Sequence, residues 1–236
     1  MPHYILQIDT ASKLTSLSLT DGNQLLCDKP YTNSREQAQF LIPEFQTLLA
    51  EQGISSKELN EIRAMIGPGS FTGIRIGLAA AQGLAFGREI PLHGISNFDA
   101  YLQAYKAQYT SQAQSGYLLI ALESYRQELF FQLWDLSKKQ ILATENISAE
   151  DCLAICQEHS INLTHLSLIG DGVQKAADIF KGSQVISDEI LTARQTIGSY
   201  LHLCQFDMLQ EMTPYYMRKA DAVKSKVIRQ IAEKEG

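Results

Sequence analysis

A glycine-rich block is the part of this chain best suited to hold a ligand or another protein. It follows a strand-like run, Ile62 to Ile66, and reads Gly67-Pro68-Gly69-Ser70-Phe71-Thr72-Gly73-Ile74-Arg75-Ile76-Gly77. Glycine allows positive φ and close approach of another group, and the hydroxyls of Ser70 and Thr72 can cap helix amides. The block therefore predicts a strand, a tight turn and a helix N-terminus. Such a turn binds an anion, seats a partner or simply connects two elements.

A second candidate lies at the end of the first predicted strand, where Asp9 stands beside the hydroxyls of Thr10 and Ser12. These residues form a possible vestigial nucleotide loop that would handle metal-bound phosphate. Asp9 can equally cap the turn by accepting hydrogen bonds from nearby amides. The best match to a second phosphate loop is Ile169-Gly170-Asp171-Gly172. Its Asp171 places a negative charge where phosphate would sit, which argues against tight ATP binding by this chain alone.

Other reaction centres are not indicated, so we predict no catalytic residue and no metal site. No serine, histidine and aspartate spacing suggests a nucleophilic triad. The five histidines are dispersed, at His3, His93, His159, His165 and His202. Of four scattered cysteines only Cys152 and Cys156 are one helical turn apart, and zinc would need two more ligands there. Scattered cysteines of this kind indicate reduced thiols in a cytosol.

The composition is that of a packed soluble protein with an acidic surface. The chain has 236 residues, of which 45% are hydrophobic and 19% charged, and its net charge is −6. Such a surface repels nucleic acid phosphates, so an RNA-related role needs a partner that supplies a positive groove. The N-terminus has no signal sequence and no apolar run is long enough to cross a bilayer. We therefore expect a cytoplasmic protein.

Hydrophobic periodicity divides the chain into two similar halves. In the first half it predicts strands at Tyr4 to Asp9, Thr15 to Thr20, Gln24 to Asp28, Ile62 to Ile66 and Ile90 to Ile95. Helices are predicted from a capping box at Ser34 to Gly53, after the glycine-rich block, and after a cap at Ser96. The polar stretch Thr110 to Gly116 is a linker candidate.

The second half repeats this order. Strands are predicted at Tyr117 to Leu122, Glu128 to Trp134, Gln140 to Asn146 and His165 to Ile169, and helices at Ala149 to His159, Gln174 to Lys181 and Leu191 to Glu211. Two βββαβα halves, 1–112 and 113–236, resemble the duplicated α/β architecture of actin-like (ASKHA, ribonuclease H-like) proteins. We expect the C-terminal helix and basic tail to pack back on the first half.

The helix after the glycine-rich block has two unusual faces. Its small residues are four apart, at Gly73, Gly77, Ala81 and Ala85, and leave a ridge of nearly bare backbone where another element can pack closely. Another face mixes polar and aromatic groups, at Arg75, Ala79, Gln82 and Phe86. A protein interface has this mixture more often than a sealed core does. For the ridge, a core helix in a two-layer fold remains an alternative.

Several segments together resemble the TsaB (YeaZ-type) family of tRNA threonylcarbamoyladenosine biosynthesis proteins. They are Ile8-Asp9-Thr10, Ser34-Arg35-Glu36-Gln37, the glycine-rich block, Ala81-Gln82-Gly83-Leu84-Ala85 and Pro91-Leu92-His93-Gly94-Ile95-Ser96. The resemblance covers about the first hundred residues and returns at Pro214-Tyr215-Tyr216-Met217-Arg218. It implies an actin-like fold and a non-catalytic subunit that binds and activates the related enzyme TsaD. That enzyme transfers a threonylcarbamoyl group to the adenosine beside the anticodon of ANN-decoding tRNAs.

The resemblance also implies partners and an interface. TsaE is a third subunit, ATP or ADP and metal belong to the partners, and tRNA binds only through the complex. We expect a homodimer when the chain is alone, through the face that TsaD would use. The implied interface comprises Gln37, Leu41, Phe45, Gly73, Arg75, Gly77, Leu78, Ala81, Gln82 and Phe86. Where TsaD proteins have a metal-binding His-x-x-x-His pair, this chain has Asn97 and Tyr101.

The chain departs from the family pattern at two places, and the sequence leaves three rival functions open. Gln37 stands where the family has histidine, and Leu122-Glu123-Ser124-Tyr125 replaces its Ile-Asp-Ala-Arg motif. The main rival is a stand-alone actin-like ATPase or small-molecule kinase that would use Asp9. A metallopeptidase is disfavoured by the missing histidine pair. Direct RNA binding would use the basic tail, with Arg218, Lys219, Lys224, Lys226, Arg229 and Lys234.

Overall fold

The first half folds as three antiparallel strands followed by two helix–strand units. In the computed structural model its strands are β1 (Tyr4–Asp9), β2 (Thr15–Asp21), β3 (Gln24–Tyr31), β4 (Leu59–Gly67) and β5 (Leu92–Ser96). The helices are α1 (Gln37–Glu51), α2 (Phe71–Phe86) and α3 (Asn97–Gln108). The first sheet has the order β3-β2-β1-β4-β5, in which β4 and β5 run parallel to β1. The structure describes residues 1–12, 14–31, 37–109, 116–124, 126–137, 140–186, 196–204, 211 and 213–214.

The second half repeats this topology. Its elements are β6 (Tyr117–Glu123), β7 (Leu129–Asp135), β8 (Gln140–Ile147), α4 (Ala149–Glu158), β9 (Leu166–Ile169), α5 (Val173–Ala176) and β10 (Gln184–Val185). The second sheet has the order β10-β9-β6-β7-β8, again with an antiparallel β6-β7-β8 meander and parallel β9 and β10. Because both sheets have the same order and strand directions, the predicted duplicated actin-like fold of ribonuclease H type is confirmed.

Serine caps mark the helix starts, as the sequence predicts for Ser96. Its side chain accepts a hydrogen bond from the amide of Asp99, and Ser70 and Ser148 cap α2 and α4 in the same way. Each cap satisfies an amide that the first helical turn leaves without a partner and contributes about 1 kcal/mol.

Three apolar clusters hold the fold together. One cluster lies between the first sheet and the helices α1 and α2, and another lies within the second half. The middle cluster joins the halves, because Phe98 and Tyr101 of α3 belong to it together with Leu118 and Ile120 of β6. Burying each of these large side chains stabilises the fold by roughly 1.5–3 kcal/mol.

The predicted long helix from Leu191 to Glu211 is wrong over its described part. Residues Ile197–Leu203 form a 3₁₀ helix instead, which ends at Cys204. The Arg63 guanidinium donates hydrogen bonds to the carbonyls of Leu201, His202 and Cys204, which a continuing α-helix would use internally. We call residues Thr196–Cys204 the C-terminal cover, because they return from the second half to lie on β1, β2 and β4.

The helix predicted from Gln174 to Lys181 is also corrected, because the structure has only the short helix α5, Val173–Ala176, followed by turns in which the amides of Ile179 and Phe180 bond to the Ala176 carbonyl. The Ser34 capping box, most of the Thr110 to Gly116 linker, Tyr125 and the basic tail lie outside the described residues. Within the described part, no helix combines the length and apolar character needed to span a membrane.

His202 of the C-terminal cover makes the stability of the fold depend on pH. Burial, the largest cause, lowers the pKa of its imidazole, and the nearby Arg63 charge lowers it further. The folded state therefore favours the neutral ring. This contribution is complete above the unfolded pKa of about 6.5 and is lost as the pH falls through the lower folded pKa.

Between pH 7.5 and pH 5.5 the free energy of unfolding should fall in the wild type. The fall should be smaller in His202→Gln, because the glutamine side chain does not titrate. Urea unfolding at both pH values measures the difference. His159→Gln is the matched control, because that histidine is exposed, and it should keep the wild-type dependence. Equal losses in the wild type and in His202→Gln would rule out this role for His202.

Candidate partner interface

The small-residue ridge of α2 packs against the chain's own first turn. A methyl group at Gly73 would overlap the carbonyl oxygen of Thr10, and one at Gly77 would overlap the Thr10 hydroxyl. The Thr10 hydroxyl donates a hydrogen bond to the carbonyl of Gly73 at 2.8 Å. The prediction that this ridge lies open to a partner is therefore wrong, because the turn after β1 covers Gly73 and Gly77, and Ala81 and Ala85 are buried in the apolar cluster with α1.

The predicted interface residues divide into a buried and an exposed set. Six of them are buried within the chain, namely Leu41, Phe45, Gly73, Gly77, Leu78 and Ala81. Arg75, Gln82 and Phe86 lie at the surface. The Gln37 side chain lies outside the described part of the structure. Only the exposed set can contact another subunit while this chain keeps its fold, and we restrict the candidate interface accordingly.

The exposed set belongs to one face of α2 with an aromatic residue at each end. Phe86 is 89% exposed and Phe71 is 43% exposed. The guanidinium carbon of Arg75 lies 3.8 Å from the centroid of the Phe71 ring, a cation–π distance. The neighbouring helix α1 also leaves Ile42 exposed. Large apolar side chains beside an arginine are typical of the centre of protein interfaces.

A groove of about 380 Å³ adjoins Phe86 at the end of α2. It is lined by Lys57, Leu59, Phe86, Gly87, Arg88, Glu89 and Ile90. The Arg88 guanidinium is held in place by the carbonyls of Ser56 and Leu84. Phe86 thus forms one wall of a preformed depression that can receive a partner side chain. Sequence reasoning missed this groove and Phe71, although Phe71 lies one helical turn before Arg75.

The loop Asp9–Ser12 is closed by internal hydrogen bonds. Asp9 is fully buried, and its Oδ1 accepts hydrogen bonds from the amides of Ala11 and Ser12, each at 3.0 Å. Thr10 and Ser12 are also buried. The capping role that the sequence allows for Asp9 is therefore the one observed. No phosphate can reach Asp9 in this conformation.

The second candidate phosphate loop, Ile169 to Gly172 after β9, is also filled by protein. Gly170 and Gly172 pack directly on the backbone of Ala121 and Leu122. Asp171 Oδ1 accepts a hydrogen bond from the Glu123 amide at 2.8 Å, and Lys175 Nζ lies 2.7 Å from Glu123 Oε1. A carboxylate thus occupies the place where a second phosphate loop would need amides to face a ligand.

Asn97 and Tyr101, the positions at which the resemblance expects a metal-binding histidine pair, have structural roles in this chain. Asn97 is buried, and its Nδ2 donates a hydrogen bond to Ser12 Oγ at 3.3 Å. Tyr101 is 1% exposed and packs in the middle apolar cluster. Over the described ranges, no three His, Cys, Asp or Glu side chains converge on a point where a metal ion could bind.

All four cysteines are free thiols, and three of them are poorly suited to act as nucleophiles, whereas a hydrogen bond with Cys152 lowers the pKa of the buried Cys156. Burial raises the pKa of Cys204 to about 12 and also raises the pKa of Cys27. A hydrogen bond with Cys156, followed by burial, raises the pKa of Cys152. Because the thiolate is the reactive form, Cys27, Cys152 and Cys204 are kept unreactive near neutral pH.

Comparison with known proteins gives one consistent family. A family profile described as tRNA N6-adenosine threonylcarbamoyltransferase (TsaD) matches residues 29–232. The tRNA threonylcarbamoyladenosine biosynthesis protein TsaB of Escherichia coli is 40% identical over 97 residues, which are 39% of each chain. TsaB of Haemophilus influenzae is 32% identical over 130 residues, which are 54% of this chain and 52% of that protein. The chain thus spans about two fifths to one half of the length of these relatives.

Solved structures share the fold over nearly the whole chain. A Pseudomonas aeruginosa protein described as uncharacterized, with similarity to peptidase YEAZ, superimposes with a TM-score of 0.71 at 20% identity. The superposition covers 92% of this chain and 100% of the Pseudomonas aeruginosa chain. YeaZ from Pseudomonas aeruginosa gives a TM-score of 0.69 at 19% identity, covering 91% and 100%.

Proposed function

Since this chain belongs to the TsaD family and is a TsaB/YeaZ-type member of it, we propose that it is a non-catalytic subunit in tRNA threonylcarbamoyladenosine biosynthesis. It binds and activates a TsaD-type enzyme, which modifies the adenosine beside the anticodon of ANN-decoding tRNAs. TsaE is the third protein of this complex, and tRNA binds only through the assembled complex. The protein acts in the cytoplasm.

The observation that carries the proposal is the exposed face of α2 with Phe71, Arg75, Gln82 and Phe86. Folding leaves two aromatic rings and an arginine at the surface, where Phe86 gains almost nothing from burial in this chain alone and Phe71 is only partly buried. Together with the groove beside Phe86, this face offers a subunit of matching shape an anchor that is buried only on binding. The same face serves a homodimer in the absence of TsaD.

The closed loops support a subunit without catalysis of its own. Asp9 is sealed beneath protein and Asp171 bonds to the Glu123 amide, so neither is available to a nucleotide in this conformation. ATP or ADP and the metal then belong to the partner subunits. The same burial counts against the stand-alone ATPase or small-molecule kinase.

Reconstitution tests the proposed function. TsaD and TsaE are incubated with tRNA, ATP and a threonylcarbamoyl donor, with and without this protein. We expect modified adenosine only when the protein is present. Equal rates without it would refute the activator role. Modification of tRNA by this chain in the absence of TsaD would refute the non-catalytic assignment.

A further inference from the structure

The groove beside Phe86 contains an arginine that the fold holds in place. The Arg88 guanidinium donates hydrogen bonds from Nε to the Ser56 carbonyl and from Nη1 to the Leu84 carbonyl, each at 3.1 Å. Its central carbon also lies 5.3 Å from the centroid of the Phe45 ring. Its Nη2 makes no hydrogen bond to any residue in the described part of the chain. A charged donor that is fixed in this way can bind an acceptor with little further loss of side-chain freedom.

The groove is positively charged, although the chain as a whole is acidic. Its lining includes the cations Lys57 and Arg88 and the carboxylate of Glu89, which together give a net charge of +1, whereas the whole chain carries −6. Over the described ranges, neither Lys57 nor Glu89 forms an ion pair. An acidic group of another molecule is therefore attracted to the groove, while the acidic surface as a whole repels it.

The walls of the groove favour a protein carboxylate over a nucleic acid phosphate. Leu59, Phe86 and Ile90 contribute apolar groups to the lining, and these can cover the hydrocarbon part of an aspartate or glutamate side chain. A single carboxylate also matches the net charge of +1. A nucleic acid brings a row of phosphates, which the net charge of −6 on the chain repels outside the groove.

We propose that the groove binds an acidic side chain, aspartate or glutamate, of the TsaD-type partner. The carboxylate accepts hydrogen bonds from Arg88 Nη2 and from the Lys57 ammonium, and the Phe86 ring keeps water away from them. Glu89 lines the same groove and lowers the affinity for any occupant of its own charge. This inference rests on the proposed function, because it assigns the chemistry of one contact at the same docking face.

Titration calorimetry of the full chain with the purified TsaD-type partner, at low and at high salt, tests the sign of the charge in the groove. Lys57→Gln should weaken binding about threefold at low salt and by less at high salt, because salt screens exposed charges. Glu89→Gln should instead tighten binding about threefold, because it removes a repelling carboxylate. Lys181→Gln removes an exposed lysine from the second half and is the control for net charge, so it should bind like the wild type.

Arg88→Lys keeps the positive charge but cannot hold both carbonyls and also present a free donor. It should weaken binding about tenfold or more. Its melting temperature is measured alongside, because the two carbonyl bonds also belong to the fold. The exposed Lys57 and Glu89 have no such structural bonds from their side chains in the described part of the chain, so their variants test the groove even if Arg88→Lys is unstable.

The acidic occupant is overturned if Lys57→Gln and Glu89→Gln bind like the wild type or change the affinity in the same direction. Wild-type binding to the partner would then leave the proposed function standing. If the wild type does not bind the partner, the proposed function fails and the groove loses its occupant with it. Filter binding of tRNA to the isolated chain tests the other source of negative charge. We expect no binding, and tRNA binding that Lys57→Gln weakens would assign the groove to RNA phosphate instead.

Discussion

Replacing Phe86 with glutamate is expected to weaken binding to a TsaD-type partner by roughly 100-fold, or about 3 kcal/mol. Phe86 is 89% exposed, so the change removes almost no packing from the isolated chain. In the complex, the variant would lose the aromatic anchor beside the groove at the end of α2, and its carboxylate would lose water on contact with the partner. Titration calorimetry with the purified partner measures the affinity, and the melting temperature of the variant should match that of the wild type.

Val185→Glu is the matched control for this experiment. Val185 is also an exposed large apolar residue, at 36%, but it lies on β10 of the second half. Its substitution should leave the affinity for the partner unchanged. If Phe86→Glu binds as tightly as the wild type, or if both variants lose affinity equally, the face of α2 is not the docking surface. Such a result would leave the activator role to be judged by reconstitution alone.

The second large effect concerns the stability of the chain itself. Gly73→Ala should lower the free energy of unfolding by about 3 kcal/mol, because the methyl group meets the rigid carbonyl of Thr10 rather than a side chain that can move aside. Urea unfolding followed by circular dichroism measures the loss. Gly83→Ala adds the same methyl group to the same helix in open space and should be neutral or stabilise the chain by up to about 1 kcal/mol.

Gly73→Ala and Gly83→Ala also test whether the small-residue ridge of α2 packs within the chain or binds a partner. If Gly73 packs only against Thr10, the fraction of Gly73→Ala that remains folded should bind the TsaD-type partner with wild-type affinity. A variant with wild-type stability that no longer binds the partner would instead restore the ridge as an interface.

The strand and helix pattern could be predicted because each element depends on local periodicity. The ridge of α2 could be recognised in the same way, since small residues at four-residue spacing require a close neighbour. The neighbour itself could not be identified from spacing. Thr10 lies 63 positions before Gly73, and nothing in either segment specifies that the two will meet. The resemblance to a partner-binding family favoured a foreign subunit where the chain supplies its own turn.

The C-terminal cover failed as a prediction for a related reason. Apolar residues from Leu191 onward recur at helical spacing, and local propensity alone favours an α-helix there. Arg63 overrides it by binding the last carbonyls of the segment from a strand 138 positions away. Asp9 shows the opposite case, because the sequence allowed both a capping and a ligand-binding role. The amides of Ala11 and Ser12 are local partners, and the capping role prevailed.

The return of Thr196–Cys204 to the first sheet limits how this protein can be divided for experiments. A fragment that stops at Tyr109 would expose Asp28, Gln7 and Arg63 on a sheet whose natural covering was left behind. A truncated first half should therefore carry the nine residues from Thr196 to Cys204, joined to it by a flexible linker. The two halves have the same topology. They do not fold as separate units, however, because the C-terminal cover, which follows the second half in the sequence, completes the packing of the first sheet.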